Sequence, residues 1–399
     1  MTPPRRIIIL GSTGSIGVQT LEVVASLNRE GPRVEVVGLA CGRDAATLSA
    51  QASRLGSPAL AVADPAGPAP AGALIGPGSA EALVRTTPCD LVVSAIVGEA
   101  GLGATLAALE LGRDVALANK ESLVAAGELV TRAALASGAA LWPIDSEHSG
   151  VWHCLGAGTC RPPLREPPAG VTRVVLTASG GPFRGWDPGR IRAATPGDAL
   201  NHPTWRMGAK VTVDSASLMN KALEIIEAHW LFALPADRLA AVVHPQSIVH
   251  ALVERADGSI LAHLAPPDMK VAIRAALEAA LGDGPAPTHP PAAGLDSLTL
   301  GRLEFEPPDR DRFPAIALGH EVLRLGGTAG AVLNAANEEA VHAFLTPGSG
   351  GPGIAFPDIA ALASAALRGV GVSPVRSLAD VREAGGEARR FVRARLGLG

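Results

Sequence analysis

Between residues 5 and 145 the chain alternates short, continuously apolar runs with longer stretches of helical periodicity, an order that few folds accommodate. The apolar runs cover 6–10, 34–40, 59–63, 91–96, 114–118 and 139–144; the helical patterns cover 16–29, 44–55, 80–85, 101–111 and 121–137. A strand exposed on one face alternates apolar and polar residues, whereas an unbroken apolar run suits a strand covered on both faces. Helices crossing between successive parallel strands supply that cover. The expected class is therefore α/β, with ligands at the carboxyl ends of the strands.

The first of those ends reads ILGSTGSIG, with Gly11, Gly14 and Gly17 between strand and helix. Glycines there permit a tight turn and let a pyrophosphate reach the helix N-terminus, which predicts a Rossmann-type dinucleotide site. The alternative is a glycine-rich turn that binds nothing. An NAD site usually ends its second strand with an acid. Here the strand runs into Cys41, Gly42 and Arg43, and arginine suits the extra 2′-phosphate of NADPH. Asp44 tempers that preference and also suits the cap of the next helix.

Two later strand ends are polar. ALANKES places Asn119, Lys120 and Glu121 at the fifth, and LWPIDSEH places Asp145, Ser146, Glu147 and His148 at the sixth. An Asp and a Glu two residues apart offer hard oxygen ligands for Mg²⁺ or Mn²⁺, although loops often carry acids without a metal. Domain 1–149 is thus expected to bind the cofactor.

Residues 150–282 read as an α+β domain. The strand TRVVLTAS leads into Ser179-Gly180-Gly181-Pro182, and residues 183–208, with Trp186, Trp205 and Met207, read as a mobile lid or, alternatively, as a region of core anchors. In KVTVDSASLMNKALEIIEAH, residues 210–213 read as a short strand, followed by a polar turn and an amphipathic helix. Asp214, Ser215 and Ser217 are expected to cap that helix, with Asn220 and Glu224 on one face and Lys221 beside them. Such a group suits a phosphate at one end and a cation at the other, or else an ordinary capped surface helix. RLAAVVH, SIVHALVE and SILAHLA form a small sheet with a hairpin, and a helix at 268–281 closes the domain. A Pro/Gly-rich linker follows at 283–314, then four helices (315–325, 329–345, 357–367, 377–396) as a C-terminal bundle within 315–399.

Composition narrows the partners. With 399 residues, a net charge of −4, 3% aromatics and no tyrosine, there is no bulk electrostatic case for nucleic acid, and stacking platforms for it are scarce. No apolar run reaches the ~18 residues of a membrane span, and the N-terminus lacks the apolar core of a signal peptide. The four cysteines match no CxxC spacing. A cytoplasmic protein without membrane or nucleic-acid partners is expected.

GSTGSIG, LANKESLV, PIDSEH, SGGPFR, NHPTWRMG, VDSASLMNKALEIIEA and HPQSIVH stand in order along the chain, and NAANEEAV follows at 334–341. Together they resemble the 1-deoxy-D-xylulose 5-phosphate reductoisomerase family over nearly the whole chain. The resemblance implies a homodimer that rearranges and reduces 1-deoxy-D-xylulose 5-phosphate to 2-C-methyl-D-erythritol 4-phosphate, with NADPH and one Mg²⁺, Mn²⁺ or Co²⁺. It implies metal ligands Asp145, Glu147 and Glu224, and substrate contacts from Lys120, Ser146, Glu147 and His202, with Lys120, Glu147 and His202 in the chemistry. The phosphate falls to Ser179, Ser215, Asn220 and Lys221, and the lid to Trp205. The cofactor falls to Thr13, Gly14, Ser15, Ile16, Gly42, Arg43, Asp44, Asn119, Glu121 and Gly208. The chain departs from the family at Ala178, Ala209 and Asp44; as a carboxylate, Asp44 cannot donate to the cofactor. Competing expectations are a plain two-domain NADP dehydrogenase and an NADP-binding sensor.

Overall fold

The computed structural model describes residues 3–31, 33–282, 294–346 and 353–398. Packing divides the chain into two units. One comprises Met1–Ser122, Val130–Arg165 and Asp268–Ala293, the other Leu123–Leu129, Glu166–Pro267 and Gly294–Gly399.

The first unit is built on a parallel sheet of β1 (Arg5–Leu10), β2 (Val34–Cys41), β3 (Ala59–Val62), β4 (Leu74–Ile75), β5 (Leu91–Ser94), β6 (Asp114–Leu117) and β7 (Leu141–Pro143). Their order is β4-β3-β2-β1-β5-β6-β7. Ile7, Ile8, Ile9 and Leu10 are at most 1% exposed, which is why β1 reads as an unbroken apolar run. The order reverses between β1 and β5, so the carboxyl ends of these two neighbours open the crevice where such sheets bind ligands. Helices α1 (Ser15–Leu27), α2 (Ala45–Ala52), α3 (Ser79–Thr86), α4 (Leu102–Glu110), α5 (Lys120–Ser137) and α6 (Ser146–Cys154) follow in turn. The two-residue β4 and the helix α6 have no counterpart in the sequence reading, which left 145–148 as a polar strand end. The helix Met269–Leu281, expected to close the second domain, packs on α1 instead. There Lys270 Nζ meets Glu22 at 2.5 Å, and Arg274 donates to Ser26 Oγ at 2.8 Å.

The second unit carries a four-stranded sheet of β8 (Val171–Ala178), β9 (Leu239–Val243), β10 (Val249–Arg255) and β11 (Ile260–Leu264), in the order β11-β10-β8-β9. β10 runs antiparallel to β8 and β11, the expected hairpin, while β8 and β9 are parallel. Between β8 and β9 lie α7 (Pro188–Arg192), α8 (Pro196–Leu200), α9 (Ala209–Ala216) and α10 (Met219–Phe232). The bundle helices are Ala315–Leu325, Ala329–Leu345, Asp358–Gly369 and Leu378–Arg395. Gly319 lets the first of them approach α10, since a Cβ there would lie 2.5 Å from Ala222 O.

Three local expectations change. Residues 210–213 are not a strand but part of α9: Thr212, Val213, Asp214 and Ala216 are buried, and this packing overrides the β-propensity of Val-Thr-Val. Asp214 and Ser215 consequently lie in the last turn of α9 rather than capping α10, and only Ser217 reaches the next helix, accepting from Met219 N at 3.3 Å. Leu218 separates the two helices at φ 59°, a left-handed conformation that costs a leucine about 1–3 kcal/mol.

The start of 183–208 follows the core-anchor alternative. Phe183 is fully buried, with ring centroids 4.6 Å from Trp186 and 4.7 Å from Phe356. Arg312 donates to the carbonyls of Arg184 and Trp186 at 2.9 and 2.7 Å, which makes Trp186 a core anchor. Residues 201–208 carry neither helix nor strand. Of the expected linker, 283–293 lie outside the described residues. Glu306 pairs with Val243 through backbone hydrogen bonds of 2.8 and 2.9 Å, so this part of it covers the outer edge of β9.

Candidate active site

The first unit contributes a cradle and a polar cluster. Gly11 turns at φ 80°, where a Cβ would lie 2.5 Å from Ala95 O at the end of β5. Gly17 is equally constrained, with a Cβ placed 2.5 Å from Ser12 Cα. Gly14 precedes α1, and Ser15 and Ile16 open it, so their backbone N–H groups belong to the unpaired first turn that favours an anion. Thr13 completes the turn. This is the backbone a pyrophosphate requires.

At the end of β2 the Arg43 side chain is 72% exposed and its guanidinium stands 3.4 Å from Asp64, a pairing that leaves it accessible to a phosphate. Gly42 is exposed beside it. Asp44 caps α2 by accepting from Thr47 N at 2.9 Å, and the hydrogen bonds from Thr47 hold its carboxyl below the ordinary value. Burial pushes the neighbouring Cys41 thiol up to about 11, so it is a neutral wall.

Asn119 caps α5. Its Oδ1 accepts from Ser122 N at 2.9 Å and from the Ser122 hydroxyl, while its Nδ2 donates to the carbonyls of Gly98 (2.8 Å) and Ile96. The side-chain amide is fully engaged in fixing the β5 and β6 ends. Glu121 is buried in the same first turn. Lys120, also buried, forms an ion pair with Asp145, the N-cap of α6. Burial alone would raise the Asp145 carboxyl; the Lys120 ammonium and His148, whose Nδ1 is 3.5 Å away, outweigh it and hold the acid well below the usual carboxylate range. Ser146 donates to Glu147 at 2.5 Å. Asp145 and Glu147, carboxylates two residues apart, offer oxygen donors suited to a hard divalent ion.

The second unit contributes paired hydroxyls. Gly180 and Gly181 adopt φ 84° and 65°, and a Cβ on Gly181 would lie 2.8 Å from Ser215 O, so the turn after β8 seats directly on α9. His202 joins the two: its Nε2 is 3.0 Å from Ser179 Oγ and 3.1 Å from Ser215 Oγ. Its Nδ1 accepts the backbone N–H of Thr204 (3.1 Å) and Trp205 (2.9 Å), which leaves the proton of the neutral ring on Nε2. Burial lowers the His202 pKa and favours that neutral ring. Ser179 Oγ also accepts from Gly181 N at 3.2 Å. The single Nε2 hydrogen is shared between the two serine oxygens, neither serine can donate to that nitrogen, and both hydroxyl hydrogens can turn to an anion. His202, expected among the substrate contacts, stands beside Ser179 and Ser215, two of the residues expected at the phosphate.

One turn on, in α10, Lys221 and Asn220 both contact the Glu224 carboxylate; Lys221 and Glu224 are 2% and 1% exposed. The expected face of Asn220 and Glu224 is present, but it belongs to a buried helix rather than a surface one. Trp205 lies with its ring 6.4 Å from that of His250, and Gly208, exposed, is the N-cap of α9.

Two features were missed by the sequence reading. His148 is the second partner of Asp145, signalled only by its i+3 spacing. Asp214 is held by Lys210 Nζ at 3.0 Å and Asn337 Nδ2 at 2.7 Å, a contact across more than a hundred residues that no local pattern announces.

The profile described as 1-deoxy-D-xylulose 5-phosphate reductoisomerase matches residues 7–127, and its C-terminal-domain counterparts match 141–232 and 264–391. The protein of that name from Rhodospirillum centenum is 46% identical over 395 residues, covering 97% of this chain and 93% of its own. The Zymomonas mobilis reductoisomerase in complex with NADPH superposes with a TM-score of 0.84 at 38% identity, covering 98% of both chains. A DOX-P reductoisomerase bound to NADPH, fosmidomycin and magnesium gives 0.85 at 34% identity, covering 99% of this chain and 98% of that one.

Proposed function

The chain belongs to the 1-deoxy-D-xylulose 5-phosphate reductoisomerase family, and from that premise we infer that it is an NADPH-dependent enzyme of non-mevalonate isoprenoid precursor synthesis. It rearranges 1-deoxy-D-xylulose 5-phosphate and reduces the product to 2-C-methyl-D-erythritol 4-phosphate. NADPH supplies the hydride, and one divalent cation (Mg²⁺, Mn²⁺ or Co²⁺) supplies Lewis-acid polarisation of the substrate ketone.

The residue assignments are proposals that rest on the geometry within each unit. The observation that carries them is the pair of serine hydroxyls held by His202 with their hydrogens free, an arrangement suited to a phosphate. Ser179, Ser215, Asn220 and Lys221 are proposed to bind that phosphate and so position the reacting carbons. His202 orients the hydroxyls; a neutral ring already accepting two backbone N–H groups is poorly suited to a general acid. Asp145, Glu147 and Glu224 are the proposed metal ligands; the glycine cradle suits a pyrophosphate, and the Asp145 and Glu147 carboxylates suit a hard cation. Lys120 stabilises negative charge on substrate oxygen, Ser146 binds a substrate hydroxyl, and Glu147 exchanges a proton with it. Trp205 excludes water over the substrate. Thr13, Gly14, Ser15, Ile16, Gly42, Arg43, Glu121 and Gly208 are proposed to contact NADPH, with Asn119 acting through its backbone because its amide is engaged. Asp44 is read as a helix cap.

A homodimer is proposed as well. The edge strand β11 exposes Ile260 (58%) and Leu261 (39%), an apolar edge that suits a second copy. A cytoplasmic location is also proposed; no helix among the described residues is long and apolar enough to cross a membrane.

The test is NADPH oxidation followed by its absorbance with 1-deoxy-D-xylulose 5-phosphate, with and without divalent metal. Metal-dependent oxidation with 2-C-methyl-D-erythritol 4-phosphate as product is expected. Oxidation that persists unchanged after metal removal favours the plain dehydrogenase, and no oxidation with metal present overturns the enzyme reading.

A further inference from the structure

We propose that Asn337, in the helix Ala329–Leu345 of the C-terminal bundle, is a positioning residue for the substrate phosphate and acts through Asp214 and α9. The proposal rests on the reading of Ser215 as a phosphate ligand.

Asn337 is 0% exposed and donates from Nδ2 to Asp214 Oδ1 at 2.7 Å. Asp214 is 1% exposed, and its other oxygen takes Lys210 Nζ at 3.0 Å. One carboxylate thus ties the first turn of α9 to its last turn and ties both to the bundle. Ser215 is the next residue. The Asp214 carbonyl also accepts from Ser217 Oγ at 3.2 Å, and that hydroxyl receives Met219 N at 3.3 Å, so the same anchor reaches the start of α10 just before Asn220 and Lys221.

α9 relies on its buried face, Thr212, Val213 and Ala216, and on this carboxylate anchor to fix its rotation. It spans eight residues, preceded by the irregular 201–208 and followed by the left-handed Leu218. A helix that short is marginal without tertiary anchoring. Its rotation sets where Ser215 Oγ stands relative to His202 and Ser179, because the Ser179-Gly180-Gly181 turn seats on Ser215 O. Simple helix packing would favour a leucine at 337. The asparagine is instead buried with its Oδ1 lacking a hydrogen-bond partner among the described residues, a cost that apolar packing would avoid. The amide therefore serves its one directed contact, the hydrogen bond to Asp214.

The experiment compares Asn337→Leu and Asn337→Ser in the full-length enzyme, each alone and in a Ser215→Ala background. It reads KM for 1-deoxy-D-xylulose 5-phosphate, KM for NADPH, kcat, and competitive inhibition by inorganic phosphate. Either Asn337 variant is expected to weaken substrate and phosphate binding roughly tenfold, as befits one directed buried hydrogen bond, with KM for NADPH and kcat unchanged. In the Ser215→Ala background the same substitution adds little, because both act at one point. Equal losses in kcat and both KM values, full additivity with Ser215→Ala, or unaltered phosphate binding overturns the proposal. If Ser215→Ala alone leaves phosphate binding intact, the phosphate reading fails, which is distinct from a normal Ser215 effect with silent Asn337 variants. Asn337→Ser, smaller than the native residue, serves if the leucine variant does not fold.

Discussion

His202 faces Ser215 through Nε2 at 3.1 Å while its Nδ1 accepts the backbone N–H of Trp205 at 2.9 Å, so one imidazole links the Ser215 hydroxyl to the 201–208 segment. The link works only for the neutral ring. A second proton would have to go on Nδ1, where two N–H donors already point.

Acid should therefore loosen substrate binding. Burial lowers the His202 pKa from its ordinary 6.5. Below 6.5 the unfolded chain binds more protons than the folded one, so this contribution to stability is complete above 6.5 and is lost as pH falls through the depressed folded value. His229, also lowered by burial, titrates in the same direction, so the difference between wild type and a His202→Asn variant isolates the effect. KM for substrate should rise on the acid side in wild type and stay high but flat in His202→Asn. The same acid limb in both would refute the linkage.

The Ser179-Gly180-Gly181 turn was legible because a Ser-Gly-Gly-Pro run directly after a strand has few other uses. The helix α9 was not, since Val-Thr-Val is a strand pattern until the burial of Thr212 and Val213 is known. The helix α6 carried a readable signal, an Asp cap with Glu147 in the first turn, but the polar run PIDSEH resembles a loop just as well. Saturation of the Asn119 amide could not be read at all: two of its four partners are carbonyls more than twenty residues away. Local periodicity fixes strands and helices, whereas the directions of side-chain amides depend on which distant backbone they meet.

Glu224→Gln should abolish metal-dependent turnover while NADPH binding survives. The change also breaks the buried Lys221–Glu224 ion pair, and breaking such a pair typically costs ~3–5 kcal/mol. Urea denaturation without metal should show that loss. A Lys221→Met, Glu224→Leu double variant should regain most of the stability and none of the activity. Activity recovered together with stability would make Glu224 structural only.

Arg43→Ala should raise KM for NADPH roughly ten- to a hundredfold, the worth of charge-assisted hydrogen bonds to a phosphate, and leave KM for NADH nearly unchanged. The fold should not notice. Its ion pair with Asp64 joins side chains 72% and 75% exposed, and such a surface pair contributes ~0–1 kcal/mol. Steady-state kinetics with both cofactors decides the matter: an equal effect on each rules out recognition of the 2′-phosphate.

Gly14 and Gly17 should fail in different ways when replaced by alanine. At Gly17 the new Cβ would lie 2.5 Å from Ser12 Cα and against Gly11 O, all of it backbone, and no side chain can swing aside. The turn itself must shift, and overpacking of this kind costs about 1–3 kcal/mol. At Gly14 the Cβ would meet only Gly11 O, at 3.3 Å, a contact a small adjustment relieves. That methyl would project where a pyrophosphate must approach the N-terminus of α1. Gly17→Ala should thus lower the urea midpoint and weaken NADPH binding together, whereas Gly14→Ala should spare the midpoint and weaken NADPH binding alone. Fluorescence titration with NADPH alongside denaturation separates the two; normal NADPH affinity in Gly14→Ala would remove this turn from the cofactor site.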